Sequence, residues 1–476
     1  MNPSLARLLF AVGIAGLFYL NRDKSVRTSK ALWIPVIWLW IVGSRSVSLW
    51  LSGAAPDPRA EGAPIDTVIY SVLLLSGVAV LARRGQRTLS VMVASWPIVL
   101  YFLYCLMSIA WSDFPAVASK QWVKAMGDLV MPLVVVTDPQ AVAALRRLFS
   151  RVGFLLLPAS VLLIKYYPNL GRSYGSWAGE QHNIGVTPDK NLLGLITYVL
   201  TLGAFWQVLR LWRRPYPPDR SRRLVAQCTL LGFGLWLLGS ADSATSIMCF
   251  TVGALVMLVL DWRRIRGRTA EVHKVVLSLV ALVGLMGVTG AYDAIVHALG
   301  RRTDLTGRTD IWSVLFPMAP NSLLGAGFES FWLGSRLQKV WDAFPGLHVN
   351  EAHNGYLEVY LNLGVIGLGL VIAIVVYGYL RAAATFRTDR SSAGLMLAYV
   401  LSGAMYSYTE AGFRMLNYSW TFLLLAVVAA SRISRRTVED SNNTLSQPGR
   451  RSITSVGTTS ILLNREPIRD QIQFPM

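Results

Sequence analysis

Apolar residues in this chain fall in blocks about as long as a membrane is thick, and polar residues fill the gaps between them. The stretches Ser90 to Trp111, Thr245 to Leu260 and Val275 to Ala291 approach or reach the roughly 20 residues that a helix needs to cross about 30 Å of hydrocarbon. Other blocks cover about Ala31 to Leu51, Asp66 to Ala82, Val123 to Thr137, Val152 to Tyr166, Asn191 to Leu209, Leu224 to Leu238, Gly355 to Leu380, Ser392 to Tyr408 and Met415 to Ala430. Together with Leu5 to Leu20, the pattern predicts an all-α polytopic membrane protein of 13 spans, or 12 if the first block lies at the interface. Arg7 within that block and the basic run Asn21 to Lys30 behind it reverse the order of a cleaved signal peptide.

The gaps are of two kinds. One set is rich in arginine: Arg22 and Arg27; Arg83, Arg84 and Arg87; Arg146, Arg147 and Arg151; then the clusters that include Arg210, Arg223, Arg264, Arg387 and Arg435. By the positive-inside rule these are cytoplasmic, and the C-terminus with them. The alternate set carries few positive charges for its length, and two of its members are long, 167–189 and 299–354. The expected organisation is N-terminal membrane helices over 1–298, a large outer loop over 299–354, C-terminal membrane helices over 355–436 and a disordered cytoplasmic tail over 437–476.

Composition agrees with this layout: 53% of residues are hydrophobic, 15% are charged and mean hydropathy is +0.45. The formal charge of +19 comes from clusters between apolar blocks, so it reports topology and not a nucleic-acid partner. Cys105, Cys228 and Cys249 all lie inside apolar blocks, without CxxC or metal-ligand spacing. No fixed-period repeat or inverted half is visible, which lowers the transporter reading. The Gly325 and Gly327 pair lacks a dinucleotide context and reads as a turn.

Chemistry concentrates where the second long loop meets a long apolar block, in Val349-Asn350-Glu351-Ala352-His353-Asn354-Gly355-Tyr356-Leu357-Glu358. Ionisable groups at a membrane boundary are costly and mark functional sites by default. Read as one helix, positions 353, 356, 357 and 360 share a face, which sets His353 above Tyr356 and Tyr360. A capping cluster around a hydrogen-bonded imidazole is the bland alternative. Glu358 reads either as a structural ion pair or as the group that orients a base, and Glu351 is a further catalytic candidate. Guanidinium groups hold a diphosphate bidentately without metal; Arg308 is the candidate in this loop, and Arg172 and Lys190 form a second cationic pair in the other. Asn354, Tyr356, Trp332 and Trp177 are the candidates to meet sugar rings, and the aromatics of the first long loop suit the membrane interface equally. Among charges inside blocks, Lys124 and Asp128 have the spacing of a helix-face pair, with no chemistry assigned.

Glu351-Ala352-His353-Asn354-Gly355-Tyr356-Leu357-Glu358, the following Leu363-Gly364-Val365-Ile366-Gly367, and the preceding Gly307-Arg308-Thr309-Asp310-Ile311-Trp312 and Gly325 to Trp332 segments resemble the O-antigen ligase and polymerase superfamily, most closely its exopolysaccharide-polymerase branch. The resemblance covers about Gly300 to Gly367, and more loosely Arg172 to Gly194. It implies metal- and cofactor-free transfer of glycan from a polyprenyl-diphosphate-linked oligosaccharide to an acceptor hydroxyl on a growing polysaccharide or other glycan. The family's essential histidine falls on His353 and its diphosphate-binding arginines on Arg308 and Arg172. Membrane lipid, a chain-length regulator and a flippase are the implied partners. In such a reaction a base takes the hydroxyl proton while fixed cations hold the leaving diphosphate, and a single displacement inverts the anomeric centre. A ligase acting on lipid A core shares the donor chemistry. A transporter is the alternative of another class, and it predicts flux that survives loss of His353.

Overall fold

The structure is a computed structural model that describes residues 2–52, 63–174, 181–213, 219–261, 269–289, 306–346 and 348–445. It is an all-α polytopic membrane protein. The only sheet among the described residues is a two-stranded antiparallel pair, β1 (Arg172–Tyr174) and β2 (Gln181–Asn183), in which Ser173 faces His182.

Six described helices are long and apolar enough to cross a membrane: Pro3–Leu20, Pro64–Arg84, Ala141–Tyr166, Lys190–Arg213, Arg220–Ser240 and Gly355–Thr385. The bent pair Gln86–Ala94 and Trp96–Trp111 makes a seventh if it is one span. Among the described residues, six or seven of the expected 12 or 13 spans meet that length and apolarity; other blocks form shorter or bent helices, and the block over 275–297 runs beyond the described residues. The run from Ser90 to Trp111 turns by 87° at Ser95, where Pro97 removes a backbone donor from the first turn of the second helix. The block from Ala31 stops its helix at Val42, and Lys30–Val42, Ala244–Leu260 and Tyr418–Ser434 are shorter apolar helices.

The helix Lys190–Arg213 is the hub, packed against Ala141–Tyr166, Arg220–Ser240, Ala244–Leu260 and Arg390–Thr409. Its most apolar window is 78% buried, against 11% for Pro3–Leu20 and Pro64–Arg84, which turn Leu8, Val12 and Leu75 outward as a lipid-facing surface does. Tyr198, Trp206, Phe149 and Phe422 fill the centre.

Contacts sort the connections into two ends. At one, Asp138 accepts the Ser29 N–H at 2.9 Å and pairs with Arg84 at 3.9 Å, and its carbonyl takes Arg432 at 2.9 Å. Arg210 pairs with Asp389 at that same arginine-rich end, 3.7 Å apart. At the other end the 306–346 segment folds over the helix that begins at Gly355. Leu315, Phe331, Trp332, Val340, Ala352 and Leu361 make a small second core there, and this core positions the site.

Candidate functional site

The long helix Gly355–Thr385 is broken at Gly364, whose φ of 64° and ψ of −165° leave helical space. A Cβ at that position would lie 2.2 Å from the Leu323 carbonyl oxygen, so only glycine allows the loop to cross here. Carbonyls freed by the break are capped by the loop. Ala326 and Gly327 donate to Leu361 and Asn362 at 3.0 and 2.8 Å, and the Tyr104 hydroxyl donates to Leu363 at 3.0 Å. Gly325 and Gly327, both at positive φ, form the expected turn.

Asn354 caps the helix, its Oδ1 accepting the N–H groups of Tyr356 and Leu357 at 3.0 and 3.1 Å. His353 therefore lies outside the helix, at φ 46°, and the expected shared face with Tyr356 and Tyr360 does not form. Its neighbour Ala352 is clamped from both sides. Glu358 accepts the Ala352 N–H, and Trp312 donates to the Ala352 carbonyl at 2.8 Å. The other Glu358 oxygen takes the Trp332 indole N–H at 2.8 Å. Glu358 thus holds the backbone beside His353, and the carboxylates that reach the imidazole are others.

Those are Glu351 and Glu410. His353 Nδ1 lies 2.9 Å from Glu351 Oε1 and 3.3 Å from Glu410 Oε2. The second oxygen of Glu410 pairs with Arg308 at 3.0 Å, while Arg308 also donates to the Thr409 carbonyl. The Glu410 carbonyl accepts the Gly355 N–H at 2.9 Å, so one residue fixes both the helix start and the imidazole. Burial disfavours the imidazolium, but hydrogen bonds to Glu351 and Glu410 and their charges outweigh it and raise the His353 pKa to about 10. For Glu351, burial favours the neutral acid, yet His353, Arg414 and Arg308 prevail and hold it below its ordinary value. Asp189, just before the hub helix, is pushed up first by burial and further by the charges of Glu351 and Glu410, against the Leu192 and Asn191 N–H groups. The start of the hub helix thus lies within electrostatic reach of the cluster.

The remaining candidates serve locally. Arg172 Nε donates to the Ile164 carbonyl at 3.1 Å, and Lys190 lies 4.0 Å from Asp242. No hydrogen bond or ion pair joins either to the His353 group among the described residues. Trp332 is 7% exposed and its N–H is committed, and Asn354 is spent as a cap. The Tyr356 hydroxyl donates to the Ala404 carbonyl at 3.1 Å. Trp177 lies outside the described residues. Asp128 does not pair with Lys124; buried, it accepts the Leu416 N–H at 2.8 Å and the Thr421 hydroxyl at 2.7 Å.

Glu351, His353 and Glu410 each offer a ligand atom, all within 4.8 Å of one another, as a metal ion would require. In the geometry seen here these atoms already bond to one another and to Arg308. His353 Nε2 has no partner among the described residues.

The site therefore combines a basic imidazole, a guanidinium and two carboxylates at one end of a helical membrane bundle. Residues 228–372, which hold Arg308, Glu351, His353 and Glu358, match the O-antigen ligase family model. That match bears out the resemblance read from the motifs. Over 295 residues the chain is also 23% identical to the exopolysaccharide production protein ExoQ of Rhizobium meliloti (strain 1021), covering 59% of this chain and 63% of that protein's length. Glu410 lies beyond the family match.

Proposed function

We propose that this protein transfers glycan from a polyprenyl-diphosphate-linked oligosaccharide to an acceptor sugar hydroxyl, polymerising the repeat units of an exported polysaccharide on the periplasmic side of the inner membrane. The observation that carries the reading is the chain of contacts Arg308, Glu410, His353, Glu351 at a membrane boundary. A lipid-linked donor keeps its hydrocarbon in the bilayer while its diphosphate reaches such a boundary. Arg308 is placed in this reaction to hold the diphosphate, with Arg172 and Lys190 as further cations of the outer loops. His353 takes the acceptor proton through Nε2, while Nδ1 is fixed by the two carboxylates. The O-antigen ligase family match and the name of the Rhizobium relative favour the same chemistry.

The raised basicity of His353 favours a second role for the same residue. An imidazole that rests protonated is a fixed cation beside Arg308, and it becomes a base only after losing that proton.

The test is the lipid-linked saccharide and exported glycan of cells lacking the protein, complemented with wild type or a normally expressed His353→Ala variant. Single repeat units left on the carrier, with no long polymer, are the expected result. Long lipid-linked chains that never reach an acceptor would make the protein a ligase. Full polymer from the variant would remove His353 from the chemistry.

A further inference from the structure

Far from His353, a cavity of about 260 Å³ opens between the end of Pro3–Leu20 and the first turns of Ala141–Tyr166. Its lining includes Arg22, Asp23, Arg147 and Arg151 together with Phe18 and Phe154. That volume is several times the roughly 30 Å³ of one water. Its place relative to the catalytic candidate follows from the hub helix. Gln207 near that helix's end donates to Ser150 in the cavity wall at 3.1 Å, whereas Asp189, just before its start, feels the charges of Glu351 and Glu410. Eighteen residues at 1.5 Å each separate the two by about 27 Å, so the cavity belongs to the arginine-rich end.

Cations there exceed what the protein neutralises. Asp23 is already held by Arg146 at 3.4 Å and Arg223 at 3.0 Å. Arg147 spends its donors on neutral oxygens, the Thr28 hydroxyl at 2.6 Å and the Asp23 carbonyl at 2.9 Å. Arg151 lies over the Trp33 ring at 4.3 Å, and its buried Nη1 has no hydrogen-bond partner. A buried guanidinium N–H without an acceptor is costly, and five guanidinium groups around one carboxylate leave a strong positive field. Phe18 and Phe154, edge to face at 5.6 Å, make the apolar part of the lining, and Phe18 belongs to the helix Pro3–Leu20, whose Leu5, Leu8, Leu9 and Val12 are exposed.

We propose that this cavity binds the phosphate headgroup of an anionic membrane lipid. Arg151 and Arg22 supply its acceptor oxygens with partners, and the acyl chains leave past Phe18 and Phe154. This binding is independent of glycan transfer. Its test uses the full chain in phosphatidylcholine nanodiscs with or without phosphatidylglycerol, with retained lipid counted by native mass spectrometry and thermal unfolding followed in parallel.

Wild type is expected to retain phosphatidylglycerol and to unfold at higher temperature with it. Replacing Arg151→Gln and Arg22→Gln together is expected to weaken retention roughly tenfold, the equivalent of one strong contact. Inorganic phosphate added to the phosphatidylcholine sample distinguishes the sources. An equal thermal shift from phosphate, without retained lipid, would overturn the lipid and leave a free-anion site. If a folded double variant keeps wild-type retention, or neither anion changes wild type, the site is refuted. The wild-type comparison decides the matter even if the variant fails to fold.

Discussion

The Asp138 cluster and the His353 cluster stand at opposite ends of the bundle and use the same materials, carboxylates and arginines, to opposite effect. Asp138 is 1% exposed, and its carboxylate, shared by Ser29, Gln140 and Arg84, ties segments distant in sequence to one point. Every bond there fixes a helix end. At the other end the two carboxylates consume only one nitrogen of the imidazole, and the His353 side chain remains 32% exposed with Arg308 at 21%. The lesson is that an ionic cluster stays available to a ligand when its scaffold holds one face and leaves the other open. A fully satisfied cluster is cement.

The comparison breaks most sharply at His353. His353→Ala is expected to lower transfer in reconstituted membranes by about 10²- to 10⁴-fold, the usual worth of a proton-transferring group, with folding retained by size-exclusion chromatography. Arg308→Gln removes the cation while Glu410 keeps His353. Transfer is expected to fall by roughly a hundredfold, as when one charge-stabilising donor is lost, measured as initial rate against donor concentration.

Glu410→Gln sharpens the comparison through pH. His353 has an ordinary value of 6.5 that is raised to about 10, so its ion pairs contribute their full stability below about pH 6.5 and lose it as pH rises through 10. Glu351, held below its ordinary 4.5, contributes above that value, and its share is lost as pH falls through its folded value. A base at Nε2 gives a rate that climbs with pH toward 10. Losing one of the two carboxylates is expected to move that climb down by about one unit, a tenfold change in proton affinity. A rate that instead falls as pH passes 10 identifies the imidazolium as a cation and not a base.

Smaller effects follow from the supports. Trp312→Phe deletes the donor to the Ala352 carbonyl and is expected to cost about 1 kcal/mol, seen as a several-fold slower rate without a shifted pH profile. Asp138→Asn is expected to lower thermal stability by about 1–3 kcal/mol while leaving the rate per folded molecule unchanged.

Much of this was legible in the chain. Apolar blocks announce the membrane helices, and the motif from Glu351 to Glu358 holds two of the residues that the structure gathers into the candidate cluster, Glu351 and His353. His353 stands just before the helix, as the loop bounds imply, but its spacing to Tyr356 and Tyr360 suggests a shared face that the Asn354 cap and a φ of 46° at His353 do not form. Glu410 was missed altogether. It stands two residues past the apolar block that ends at Tyr408, so the rule that singled out Glu358, a carboxylate at a membrane boundary, applies to it equally. Its pairing with a histidine 57 positions away has no local signature. Glu358 was noticed for its burial, but burial alone cannot say whether a carboxylate holds a side chain or a backbone N–H. Breaks in the helices were hidden for a similar reason: hydropathy counts residues along the chain and is blind to a bend at Ser95 or a loop crossing at Gly364.

The break at Gly364 also sets an order in time. Asn321 to Gly327, which cap the freed carbonyls, leave the ribosome ahead of the helix they cap. At about 5–20 residues per second, that lead is roughly two to eight seconds. During that interval the crossing segment has nothing to bond, and the helix, once made, cannot bury its broken turn without it. Docking of the loop onto the break therefore has to wait for the helix that carries it, and it joins the folding of one segment to the placement of another.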